Sequence, residues 1–194
     1  MISRDIHNLG TLSSFCEEFN CGSLNERNLS LIGLTGYVLN LYGLEKLAIN
    51  VEEGSRSGNI NLIKGSFTEV RIPNGIKINL KEVEYVDTLI CQDVCSIKNS
   101  TIRYCESNSG LLITDCAISE LKHSDGQLSI EDCSIEQITC ISSYSSNNFR
   151  IKNISYFFLN RLRTSGPIDL SLKFKRNSEF QLLNSDFTKM SFTA

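Results

Sequence analysis

The sequence predicts an all-β fold: a single-stranded parallel β-helix, or solenoid, of right-handed sense, with a short helical cap at its N-terminus. Three observations predict it. The chain is rich in Ile, Ser and Asn and almost lacks Ala; one set of apolar offsets recurs along it; and Asn or Asp holds one fixed place in most of the recurrences.

The 194 residues include 26 Ser, 21 Ile and 18 Asn, but three Ala (Ala48, Ala117, Ala194), two Pro and no Trp. Ile is stiff at χ1 and suits a pleated surface, while Ser and Asn compete for backbone hydrogen bonds, so the mixture favours strands joined by tight turns over helices. Helical bundles and coiled coils are excluded. A hydrophobic content of 41% is ordinary for a folded chain. The length fits one domain with a small cap: residues 1–28 as the cap and 29–194 as the solenoid, with an irregular segment at 160–179.

At the start, MISRDIHNLG has no apolar core of secretory type, and no apolar run approaches the roughly 20 residues that cross a bilayer. A cytoplasmic protein with reduced thiols is expected. The eight cysteines are then small apolar residues rather than a disulfide framework, and the sequons at Asn28, Asn99 and Asn153 follow from composition. Ser14-Phe15-Cys16-Glu17 matches a capping box, Phe15, Cys16 and Phe19 share a helical face, and Gly22 is a stop, which places the cap helix over residues 12–21.

Beyond the cap an apolar pattern at offsets 0, 2, 7 and 10 recurs. It is plainest in the near-copies LLITDCAISEL and LSIEDCSIEQI, where Leu111, Ile113, Ile118 and Leu121 are followed by Leu128, Ile130, Ile135 and Ile138. Upstream the units start at Tyr37, Ile60, Ile76 and Cys95, downstream at Phe149 and Phe180, with steps of 16 to 23 residues and a last step of 31. At this apolar content four given positions are all apolar about 3% of the time, so roughly five windows match by composition alone. The polar positions decide the matter. Offset 4 holds Asn99, Asp115, Asp132, Asn153 and Asn184, and Asn and Asp tolerate the left-handed backbone that a sharp corner needs. Two short strands about a fixed corner, repeated in register, stack into a solenoid.

The LxIxN run followed by a buried Ile resembles the pectin-lyase-like right-handed β-helices, whose Asn ladders mark one corner. The C-terminal SDFTKMSFTA resembles two pentapeptide repeats, with Phe187 and Phe192 central and Ser185 and Met190 inward. Offsets 5, 7, 10 and 12 fit that second grammar at Gly65, Phe67, Val70 and Ile72 and at Cys133, Ile135, Ile138 and Cys140. They depart from it where offset 12 is Thr88, Ser107, His123 or Arg161. Leucine-rich repeats share the offsets, but the Leu expected three residues before each unit is missing (Asn108, Asp125, Ser146) and little helix-forming sequence separates the units.

Rungs of such a solenoid lie about 4.8 Å apart, so Asp115 and Asp132 become neighbours, and two close carboxylates have acid and base chemistry. The resemblance to pectinases implies a site of that kind; the corner ladder accounts for both acids without one. An open groove with Arg or Lys near the pair puts the glycan reading first, and a corner with no groove removes it. His123-Ser124-Asp125-Gly126 has the residue types of a nucleophilic triad, but neighbours on one turn do not line up hydroxyl, imidazole and carboxylate, and Asp-Gly signals a turn. Cys91 and Cys95 lack zinc spacing and a second pair. No metal or other cofactor is expected.

Surface binding remains. Offset 9 points outward and holds Tyr85, Tyr104, Glu120, Gln137 and Phe158, an aromatic and acidic stripe of the kind that anchors interfaces. Tyr85, Tyr104, Glu120 and Phe158 are the expected binding residues. A net charge of −3 argues against nucleic acid, and the basic cluster from Arg161 to Arg176 reads as a solvated patch. The expected function is non-catalytic: a rigid solenoid face presented to another protein, in an immunity, inhibitor or scaffold role, without membrane association. A homodimer through a solenoid end is a further assembly. The alternative is a glycan-binding or polysaccharide-cleaving β-helix using Asp115 and Asp132.

Overall fold

Residues 111–123 show how one turn is made. Leu111 and Ile113 are buried while Leu112 between them is exposed, the alternation of a strand with one face on a core. Asp115 takes a left-handed backbone, φ 54°, the chain turns, and Cys116, Ile118, Leu121 and His123 are buried in succession. Inward positions therefore fall at offsets 0, 2, 5, 7, 10 and 12. The preceding turn repeats all six with Cys95, Ile97, Ser100, Ile102, Cys105 and Ser107. Ser107 and His123, which appear at odds with the pattern because they are polar, face inward with the rest.

In the computed structural model such turns stack into a parallel β-solenoid of about six turns. The structure describes residues 2–54, 57–124, 128–141, 147–163, 168–183 and 191–192, and side chains as far as residue 135 and at Ile138. The chain begins with β1 (Ile2–Ile6), α1 (Leu9–Phe19), β2 (Gly22–Asn25) and β3 (Asn28–Leu31). Strand pairs follow: β4 (Tyr37–Tyr42) with β5 (Leu47–Val51), β6 (Gly58–Ile63) with β7 (Ser66–Ile72), and β8 (Ile76–Lys81) with β9 (Tyr85–Cys91). Next come β10 (Cys95–Lys98) with β11 (Thr101–Ser107), β12 (Leu111–Thr114) with β13 (Ala117–His123), and β14 (Leu128–Glu131) with β15 (Ser134–Ile141). Last are β16 (Asn147–Arg163), β17 (Ile168–Leu183) and β18 (Ser191–Phe192).

The first member of each pair stacks in one parallel sheet, which β1 extends beyond β4; the second members form another, begun by β3. The long strands β16 and β17 continue both sheets, with register shifts between Lys152 and Tyr156. Only the β2–β3 hairpin is antiparallel among the described pairings. The core lies between the sheets. No helix of the described residues is long and apolar enough to cross a membrane.

The ladder corrects the register of three units. Leu39 pairs with Ile60, Ile60 with Ile78, and Ile78 with Cys95, so the turns expected to start at Tyr37 and Ile76 start at Leu39 and Ile78. Phe180 pairs with Phe157 in the second sheet, while Leu170 and Leu172 sit opposite Phe149 and Ile151. Most of the segment 160–179 is thus paired strand and supplies the missing rung, which removes the long last step. Residues 164–167 lie outside the described set, as do residues 184–190 of the pentapeptide-like C-terminus.

With these starts the corner becomes one continuous column: Gly43, Lys64, Glu82, Asn99, Asp115 and Asp132 all have φ between 48° and 60°. The backbone ladder runs through it, since Asn99 N–H donates to Thr114 O at 3.0 Å and Asp115 N–H to Glu131 O at 3.1 Å. The following column, at offset 5, caps the corner from inside. Ser100 Oγ, Cys116 Sγ and Cys133 Sγ each donate to the carbonyl two residues back, at 2.8, 3.0 and 3.1 Å. Gly65 occupies that column where a Cβ would stand 2.3 Å from Leu44 O.

At the N-terminus α1 begins earlier than the capping-box match implies. Asn8, in extended conformation after β1, accepts the Thr11 N–H at 2.9 Å, and Asn20 ends the helix in left-handed conformation. Ser14 and Glu17 therefore lie inside it. Leu12, Phe15 and Cys16 are buried against the first turn, and Phe19 and Phe15 meet Tyr37 edge-on.

Candidate functional site

The corner column lines an open groove of about 820 Å³ whose walls include Lys64, Glu82, Glu84, Asn99, Asp115 and Asp132. Asp115 and Asp132 are thus both corner residues and groove residues. Lys64 lies three rungs from Asp115, which at the strand spacing is about 14 Å. Within the corner column Asp115 lies between Asn99 and Asp132.

The outward stripe is divided. Register places Tyr104 beside Glu120 and Thr88, and Glu120 beside Gln137. Tyr85 is not in that column: it sits opposite Ser66, one residue before Val86, which pairs with Ile102. From β7 on, the second-sheet strands carry two consecutive outward residues between inward ones, such as Arg103 and Tyr104, and pairing skips the first of them. Tyr85 and Tyr104 flank that bend. The one-column expectation fails because the unit starts at Ile78 rather than Ile76 and its turn holds one extra residue, which together put Thr88 in the column. Phe158 lies in β16, opposite Gln181; its side chain is outside the described set.

Around these residues charges are matched in place. Arg103 donates to Asp87 across neighbouring rungs, and Tyr85 Oη donates to the same carboxylate at 3.3 Å. The Arg103 bond holds Asp87 below its usual range. Tyr104 Oη donates to Glu106 at 2.6 Å, and Lys122 Nζ reaches the other oxygen at 3.2 Å. Burial pushes Glu106 up, but these two bonds outweigh it and its carboxyl lies below the usual value. Burial, then the bond to Glu106, push the Tyr104 phenol up to about 12. Tyr104 is half-buried, Glu120 is exposed, and Tyr85 is 41% exposed.

Tyr85 and Arg103 stand beside a recess of about 240 Å³, because the next rungs carry the small residues Ala117, Ser119 and Ser134. Thr101, Ala117 and Ser134 also border the corner groove, so the two hollows adjoin.

Two features have no counterpart in the sequence reading. On the first sheet Asn79 Nδ2 donates to Asn61 Oδ1, Asn61 to Asn40, and Asn40 to Asp5, at 2.7, 2.6 and 2.6 Å. The signal was offset 1 of the corrected starts. In the core, Cys91, Cys95 and Cys105 share hydrogen bonds; the bond to Cys91, then burial, push Cys95 and Cys105 well above the usual thiol range. The described cysteines are all free and buried, and no group of three His, Cys, Asp or Glu among the described residues has the geometry of a metal site. His123 is not on a turn but is the buried last residue of β13; Asp125 and Gly126 lie outside the described set.

Comparison with protein-family models, with curated proteins and with solved structures finds no match to this chain.

Proposed function

We propose that this chain is a non-catalytic protein–protein interaction module that presents a rigid solenoid face to another protein, in an immunity, inhibitor or scaffold role. One observation carries the reading: an exposed tyrosine, Tyr85, is oriented by Asp87 and Arg103 at the lip of a recess floored by Ala117 and Ser119. An aromatic anchor beside a hollow on a flat sheet is the arrangement that concentrates interface energy. Its geometry is set before binding, so little side-chain freedom is lost on contact. Capture from the native cell tests it. A bound protein lost on Tyr85→Ala with Tyr104→Ala supports the module; unchanged capture by that pair and by Phe158→Ala removes the second-sheet face.

The corner groove supports a second reading, a glycan-binding or polysaccharide-cleaving β-helix. Asp115 and Asp132 line an open trough into which a chain of sugars fits lengthwise, and the likeness to pectin-lyase-like solenoids points the same way. The left-handed corner already accounts for both acids, which keeps this reading second. Titration with neutral and acidic oligosaccharides separates the two: binding abolished by Asp115→Asn with Asp132→Asn favours the glycan.

A further inference from the structure

The outer face of the first sheet differs in kind from that of the second. Across the second sheet, Glu69 meets Arg71, Asp87 meets Arg103, and Glu106 meets Lys122. On the first, Lys77, Lys81 and Lys98 are exposed. Lys81 makes a long contact of 3.8 Å with Glu82 there. Register sets Lys81 directly opposite Lys98, and it continues that column through Thr114 and Glu131 to Lys152 and Lys173. Like charges on facing rungs destabilise a sheet, so the facing Lys81 and Lys98 favour an anionic partner.

Among the lysines stands an aliphatic knob. Leu112 pairs with Ser96 on one side and Ser129 on the other. Its side chain rises above two short neighbours and is 44% exposed. Ser96 is followed two residues on by Lys98 and preceded two residues back by Val94, which is 38% exposed and faces the side-chain gap at Gly110. Diagonal neighbours on a sheet lie within reach of one another, so Val94, Leu112 and Lys98 form one cluster. Beside it the Asn79–Asn61–Asn40–Asp5 amide chain fixes its own side chains flat. An apolar centre with a charged rim on an ordered surface has the anatomy of a protein interface. A polyanion alone finds no use for the aliphatic centre.

We infer that this face, centred on Leu112 and Val94 and rimmed by Lys77, Lys81 and Lys98, docks an acidic protein surface that carries an aliphatic contact. It is a second docking surface, on the opposite side of the solenoid from Tyr85, and makes the module a two-sided scaffold. The inference rests on the interaction-module reading but not on the Tyr85 face.

The test uses the full chain and a short peptide alternating glutamate and leucine as probe, followed by amide shifts in NMR. Binding is expected to perturb Ser96, Leu112 and Thr114, to weaken with added salt, and to fall about tenfold in Leu112→Ser and in Lys98→Glu. A glutamate-only peptide and a sulfated oligosaccharide are expected to bind more weakly than the probe. Shifts confined to the second sheet, no shifts at all, equal binding of the glutamate-only peptide or sulfated oligosaccharide, or indifference to both substitutions overturns the inference. Both variants change exposed residues, and an unchanged spectrum away from the patch confirms that they fold. If this test fails while Tyr85→Ala with Tyr104→Ala still abolishes capture, the module reading stands without its second face; if capture never depends on either face, the module reading itself falls.

Discussion

Asn79 and Asn61 are joined side chain to side chain across consecutive turns, Nδ2 to Oδ1 at 2.7 Å. The bond is the far end of an amide chain that closes on the Asp5 carboxylate and so ties β1 to the body of the solenoid. Asn61→Ala removes two of these bonds from the middle and lowers stability by about 1 kcal/mol. The same change at exposed Asn50 stays within about 0.5 kcal/mol. Urea midpoints at constant slope measure both.

The corner column predicts a gain. Glu82 has φ 56°, where a side chain with a Cβ is strained and where Asp and Asn, but not Glu, are well tolerated. Glu82→Gly raises stability by about 1 kcal/mol, and Glu82→Asn by less. Its contact with Lys81 is long and exposed and offsets little of that. A lower melting temperature for Glu82→Gly would show that the corner is not strained.

The core predicts a graded loss. Ile113 is 1% exposed. Ile113→Val costs about 1 kcal/mol through a lost methylene, whereas Ile113→Asp or Ile130→Asp buries an unpaired charge and unfolds the domain. Far-UV circular dichroism separates a folded from an unfolded variant.

Two groups set the pH response. The Glu106 carboxyl is lower in the folded chain than unfolded. The unfolded chain therefore takes up the proton first, and stability present above the ordinary carboxylate range is lost as pH falls through it. Glu106→Gln flattens that fall. Tyr104 is raised to about 12, so above the ordinary phenol value of about 10 the unfolded chain ionises first and stability falls as pH rises. Tyr104→Phe removes the alkaline loss. Denaturant titrations at a series of pH values read both.

The apolar offsets and the Asn99, Asp115 and Asp132 corner were legible because each turn from Cys95 to Ile138 keeps nearly one length. The register upstream was not. Tyr37, Leu39 and Leu41 alternate, as do Ile76, Ile78 and Leu80, and a slip of two residues keeps the same face inward. Only cross-rung partners decide between the two, and these are long-range. Polar inward residues misled in the same way: Ser107 faces the core because its hydroxyl finds the Ser109 carbonyl at 3.1 Å, which no local pattern announces. The expected stripe missed its alignment for the same reason, since the two-residue slip from Ile76 to Ile78 and one extra residue in that turn put Thr88, not Tyr85, in the Tyr104 column.

On the proposed reading the sheet faces, not the corner groove, make the functional contact. A photo-crosslinking residue placed at Tyr85 in one variant and at Asp115 in another, expressed in the native cell, tests it directly. A protein adduct is expected at position 85, lost when Arg103→Ala disturbs the recess, and none at position 115. An adduct only at position 115, or a glycan there and nothing at 85, would contradict it.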